Sequence, residues 1–154
     1  MASRSGPGLT DAATSRSTIR QVTMVVAVVF LLVGILGFIP GITTNYDTMQ
    51  FAGHESEAKL LGVFQVSVLH NIVHLLFGIV GLAMARRADT ARTFLIGGGV
   101  VYLLLFIYGL FIDHESTANF VPLNTADNWL HLLLAVGMIG LGFLLTPRDR
   151  ITRA

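Results

Sequence analysis

Four long apolar runs, at 22–42, 66–85, 93–112 and 129–145, leave this chain few ways to fold. Crossing the roughly 30 Å hydrocarbon core of a bilayer takes about 20 mainly apolar residues, within a range of about 17–25. Each run has that length. A soluble bundle would carry a polar stripe on every helix, and "MVVAVVFLLVGILGF" at 24–38 carries none. Charged residues make up only 12% of the chain, against about 25% in an average soluble domain. The expected fold class is all-α, an integral membrane four-helix bundle. Arg16 and Arg20 precede the first run, as they would a signal peptide. The run is too long for one, however, and bulky "FIPGITTNY" follows where a small-x-small cleavage site belongs, so it reads as a retained helix.

Charge sets the expected orientation. Of the ten Lys and Arg, Arg4, Arg16 and Arg20 precede the first run, Arg86, Arg87 and Arg92 lie between the second and third, and Arg148, Arg150 and Arg153 follow the fourth. Only Lys59 falls in either remaining loop. Lys and Arg are retained on the cytoplasmic side, so both termini and the short middle loop are expected in the cytoplasm of a bacterial plasma membrane. Residues 1–20, rich in Ser, Thr, Gly and Ala, read as a flexible cytoplasmic tail. Residues 21–146 read as the transmembrane domain and 147–154 as a basic tail, with Pro147 stopping the last helix. A net charge of +1 gives no basic field for nucleic acid. The absence of cysteine excludes disulfides, thiolate metal sites and thiol nucleophiles.

The chain also repeats itself. Aligning Asn71 with Asn128 places His74 on His131, Ser67 on Asn124 and His70 on Asp127, and "FLLVGILGF" at 30–38 falls loosely on "YLLLFIYGL" at 102–110. This is the pattern of a duplicated in–out–in helical hairpin whose pseudo-twofold axis lies along the membrane normal. Glycines such as Gly34, Gly78, Gly97, Gly137 and Gly140 recur in the runs and suit close helix approach, since lipid tails give helices no hydrophobic reason to associate.

Ser67 and Asn124 have the chemistry of helix N-caps, with Asp127 placed to complete a capping arrangement. His70, Asn71 and His74 share one helical face, as do Asp127, Asn128 and His131. Polar side chains at that depth turn inward rather than to lipid. The plainest reading is an interhelical hydrogen-bond network of Asn71, His74, Asn128 and His131 that locks the two hairpins. Alternatives are a divalent metal on the three imidazoles and Asp127, an axially ligated haem, or a quinone or lipid headgroup. No nucleophile–base pair, phosphate loop or metalloprotease pattern is present. His54 and His114 read as solvated loop residues, and Trp129 as an interfacial anchor.

"LLGVFQVSVLHNIVHLLFGIVGL" at 60–82 and "FVPLNTADNWLHLLLAVGMIGLG" at 120–142 resemble an uncharacterised family of small, mainly actinobacterial membrane proteins, a domain of unknown function. The resemblance spans roughly 20–146 and implies a four-helix protein of the plasma membrane. It implies no catalytic residue. The expected role is a non-enzymatic structural or accessory membrane component that needs no cofactor. Its partners are the bilayer and a membrane protein or a second copy of itself. A metal-, haem- or quinone-binding module is the alternative.

Overall fold

The computed structural model describes residues 7–145, with side chains from residue 12 onward. It is all-helical apart from a small sheet. The elements are α1 (Pro7–Leu36), β1 (Thr43–Thr44), β2 (Lys59–Leu60), β3 (Phe64–Gln65), α2 (Val68–Met84), α3 (Ala88–Phe111) and α4 (Thr125–Leu144). Three helical stretches, Ala12–Leu36, Ala88–Phe111 and Thr125–Leu144, are long and apolar enough to cross a membrane.

α2 is shorter, at 17 residues, or about 25 Å at 1.5 Å per residue. It nevertheless runs the depth of the bundle. Near its start, Asn71 lies against Gly37 just beyond the end of α1. At its other end, the Arg20 guanidinium of α1 donates to the Ala85 carbonyl at 3.2 Å. α4 runs along α3 in the same way, from Asn128 against Gly109 to Gly142 against Leu95 and Ile96. α1 thus pairs with α2, and α3 with α4.

The buried positions follow helical spacing. In α2 they are Asn71, His74, Gly78 and Gly81, and in α4 Asn128, His131, Ala135 and Met138. In α1, Ile19, Thr23, Ala27 and Phe30 are buried, and in α3 Ala91, Leu95, Gly99 and Tyr102. The outward faces carry exposed Val, Leu, Ile and Phe, which is the inverse of a water-soluble helix.

Two expectations need correcting. The tail expected over 1–20 is helical from Pro7. Proline suits the first turn of a helix, and extension from a formed helix gains a hydrogen bond for every residue fixed. The last part of this segment is also packed: Ile19 is fully buried, and the Ser15 hydroxyl donates to the Leu145 carbonyl at 2.8 Å. The glycines, in turn, do not all serve packing. A methyl at Gly34, Gly78 or Gly99 would run into a neighbouring helix, whereas Gly97, Gly137 and Gly140 have open space above them. Residues 1–6 and 146–154, including Pro147 and the last three arginines, lie outside the described residues.

The segments 37–67 and 112–124 form a roof over one end of the bundle. β1, β2 and β3 make a three-stranded antiparallel sheet, with Thr43 opposite Leu60 and Leu60 opposite Phe64. Ala58, Leu60 and Val66 form its small core. The buried Ser56 hydroxyl donates to the Val66 carbonyl at 2.6 Å. Buried Asn119 ties the second segment: its amide donates to the carbonyls of His114 and Leu123, and its oxygen accepts from the Leu123 amide.

Both roof-end helix starts are capped. The Ser67 hydroxyl accepts from the His70 amide of α2. Asn124 and Asp127 form a reciprocal capping box on α4, and the Asn124 amide also donates to the Val63 carbonyl at 2.9 Å. Replacing a cap by alanine costs about 0.5–2 kcal/mol. Ser67→Ala and Asn124→Ala should each lower the melting temperature in detergent, with Asn124→Ala the more damaging because it also releases the roof. Equal or negligible losses would contradict this.

Candidate functional site

The polar residues at the roof end divide into three groups. The first is the pair of asparagines. The Asn71 carboxamide occupies the space where a Gly37 side chain would be, and the Asn128 carboxamide occupies the corresponding space over Gly109. Only glycine leaves room for such a contact. The Asn128 amide donates to the Gly109 carbonyl at 2.9 Å, from α4 to α3. The ring of His114 reaches the same carbonyl at 3.0 Å, so His114 lies in a loop as expected but is half-buried over the end of α3 rather than solvated. At Gly37 the carbonyl is taken by the Thr43 hydroxyl of the roof at 3.2 Å. The Asn71 amide there points at the Met49 sulfur at 3.9 Å.

The second group ties α4 to the roof. Asp127 is buried, and its Oδ2 accepts the backbone N–H groups of Gln65 and Asn124, each at 3.1 Å. Gln65 continues the link through its own amide to the carbonyls of His54 and Ser56.

The third group is the histidines. The rings of His70 and His74 lie 4.1 Å apart. His74 Nδ1 lies 3.0 Å from the His70 carbonyl. A carbonyl can only accept, so in the neutral ring Nδ1 carries the proton and Nε2 is the acceptor. The Tyr102 hydroxyl of α3 lies 3.4 Å from that Nε2 and donates to it. Tyr102 also contacts the His131 ring of α4 at 5.2 Å and stacks on Phe30 of α1 at 5.5 Å and 9°. The one hydrogen-bonded link between hairpins at this depth therefore runs through Tyr102 among the described residues. The expected four-residue lock is not what forms. The asparagines are used within their own helix pairs, because each has a glycine opposite it.

His131 stands apart. It is only 4% exposed, yet its Nδ1 is buried without a partner, as is Asn128 Oδ1. Buried polar atoms are nearly always paired. Two cavities meet at the histidines. One, of about 270 Å³, lies between α2 and α3 and is lined by Val73, Phe77, Val101, Tyr102 and Leu105. The other, of about 280 Å³, lies between α4 and α1 and is lined by Leu130, Leu134, Val29, Phe30 and Val33. Both reach His70, His74 and His131. Among the described residues no three His, Asp or Glu are grouped to hold a metal ion, so the geometry lends nothing to the metal alternative.

The chain matches the model of a family described as a domain of unknown function, DUF4383, over residues 20–144. It belongs to that family. The match starts at Arg20 and ends at Leu144, so it takes in all four helices and both roof segments while leaving out the first turns of α1. No curated protein matches the chain, and no solved structure does.

Sequence reasoning did not single out Tyr102, Gly37 and Gly109 as partners of the motif. The alignment of 30–38 with 102–110 pairs Gly37 with Gly109 and Phe30 with Tyr102, and that was the available signal. Gly109→Ala should displace the Asn128 carboxamide and cost on the order of 2–4 kcal/mol. In a double-mutant cycle, Gly109→Ala with Asn128→Ala should cost at least about 1 kcal/mol less than the sum of the two single changes. Additive losses would show that the two residues are not in contact.

Proposed function

We propose that this chain is a non-enzymatic accessory component of the bacterial plasma membrane. It crosses the bilayer four times, with both termini cytoplasmic and the roof outside. The observation that carries this reading is the use of the motif's polar groups in assembly. Asn71 and Asn128 seat helices on glycines, Asp127 joins α4 to the roof, and Ser67 and Asn124 cap helices.

A fourth crossing by α2 is supported by its course along α1 from Gly37 to Arg20. Its small deficit against the hydrocarbon thickness is of the kind bilayers accommodate. A duplicated hairpin is supported by the matched buried stripes of α2 and α4, and of α1 and α3. It is supported too by the two asparagine-on-glycine seats. A partner is either another membrane protein or a second copy of the chain.

A second reading, a binding module at the histidine cluster, is favoured by one observation: His131 is buried with an unpartnered nitrogen beside two cavities.

The chain contains no cysteine, so single-cysteine labelling is clean. Asp89→Cys should react with a membrane-impermeant maleimide only after the cells are opened, and Glu57→Cys in intact cells. Labelling of residue 89 from outside would overturn the topology. Crosslinking in intact membranes should capture the full-length chain in a larger species. A chain that stays monomeric and alone under those conditions would overturn the accessory role.

A further inference from the structure

The α2–α3 cavity has a polar end and an apolar body. At the roof end stand His70, His74, His131 and the Tyr102 hydroxyl, with Phe77 and Val101 among the apolar residues of the body; His70 Nδ1 lies 3.4 Å from the Asn71 side-chain oxygen. Val73 and Val101 are about half exposed. In a helix surrounded by lipid, this means the cavity opens sideways toward acyl chains. No Lys, Arg, Asp or Glu stands in its wall. A charged headgroup brought there would lose its hydration with nothing to balance it, a cost of several kcal/mol. The cavity volume of about 270 Å³ lies just under the roughly 300–1,000 Å³ usual for small-molecule sites. It holds a compact head and the first part of a tail, with the remainder outside between α2 and α3.

The hydrogen-bonding inventory narrows the head further. His74 has both nitrogens engaged. The Tyr102 hydroxyl, having donated its proton, still has oxygen lone pairs to accept with. No hydrogen bond to either ring nitrogen of His131 is found among the described residues; Nδ1 is fully buried, so Nε2 is the nitrogen that a ligand head in the cavity can reach. A neutral imidazole has one donor and one acceptor nitrogen, which suits a carbonyl or hydroxyl oxygen.

The α4–α1 cavity offers less. Phe30 stands where the first cavity has Tyr102, so no hydroxyl faces the ligand, and the Asp127 carboxylate forms part of its wall.

We infer that the α2–α3 cavity is a site for an uncharged amphiphile. Its carbonyl or hydroxyl head bonds to His131 beside Tyr102, and its hydrocarbon tail leaves between Val73 and Val101. This rests on the binding reading of the histidine cluster and supplies its ligand class. A prenylated quinone and a diacylglycerol share the required chemistry.

The test uses the full-length chain in phosphatidylcholine nanodiscs. The probes are a benzoquinone with a short isoprenoid tail, a short-chain diacylglycerol, and haemin. At about a hundredfold excess over its Kd, one or both of the neutral probes should raise the melting temperature by roughly 5 °C or more; which one does so distinguishes the two sources. Val101→Trp, which fills the cavity, should weaken that binding at least about tenfold, and so should His131→Phe. Val29→Trp, in the other cavity, should leave it within about twofold.

Equal weakening by Val29→Trp and Val101→Trp would overturn the choice of cavity. Displacement of the probe by phosphatidylglycerol would overturn the uncharged head. A response to haemin alone would overturn the ligand class and leave the binding reading standing. No response to any probe would overturn both.

Discussion

Inside a bilayer there is no hydrophobic effect to draw one helix to another, so helices hold together through close contact and the occasional buried polar bond. In this protein that constraint is met by an asparagine set on a glycine, once in each helix pair. Asn71 fills the space over Gly37 and Asn128 the space over Gly109. A single interhelical hydrogen bond in a membrane contributes only about 0.6 kcal/mol on average. Geometry adds to this. The glycine lets the carboxamide lie flat against the partner backbone, which fixes how far one helix can slide along the other. The small residues deeper in the bundle continue the same register, with Gly78 against Ala27 and Gly99 against Ala135 and Ile139.

Once each helix pair is set, its roof-end loop has a fixed frame to fold on. The first roof segment closes on α1 through Thr43 and on α4 through Gln65 and Asp127. The second closes on itself through Asn119 and on α3 through His114. Just beneath the roof the two pairs meet through aromatic rings, while at the far end the Thr23 and Ser15 hydroxyls of α1 bond to the Ala91 and Leu145 carbonyls. Tyr102 stacks on Phe30, and Phe77 packs edge-on to both. Rings keep the pairs apart where glycines draw helices together. The spaces between α2 and α3, and between α4 and α1, are therefore left as cavities, with the histidines at their junction.

The sequence made the helices legible because their cause is local. A run such as 93–112 is apolar along its length, and nothing but a buried or lipid-facing helix satisfies its backbone. The caps at Ser67 and Asn124 were equally legible, since a short polar side chain before an apolar run has one local use. The roof was not. β1, β2 and β3 have two residues each, too few to show alternation, and their pairing depends on contacts far along the chain, such as Gln65 with Asp127. The motif histidines and asparagines were found, but their division of labour was not. Whether Asn128 bonds to His131 or to Gly109 is decided by what stands opposite on α3, and a lone glycine among apolar residues does not announce that role. The length of α1 was misjudged for a related reason. Residues 7–20 look solvated by composition, and it is contacts far along the chain, the burial of Ile19 and the bond from Ser15 to Leu145, that make this stretch of helix part of the bundle.

The account stands most directly on the two asparagine seats, and side-chain amide exchange measures them. In lipid bilayers, with asparagine carboxamides labelled, hydrogen–deuterium exchange should find Asn71 and Asn128 strongly protected relative to exposed Asn45. Exchange of Asn71 and Asn128 at the rate of Asn45 would mean that neither carboxamide is held against its glycine, and would contradict the account.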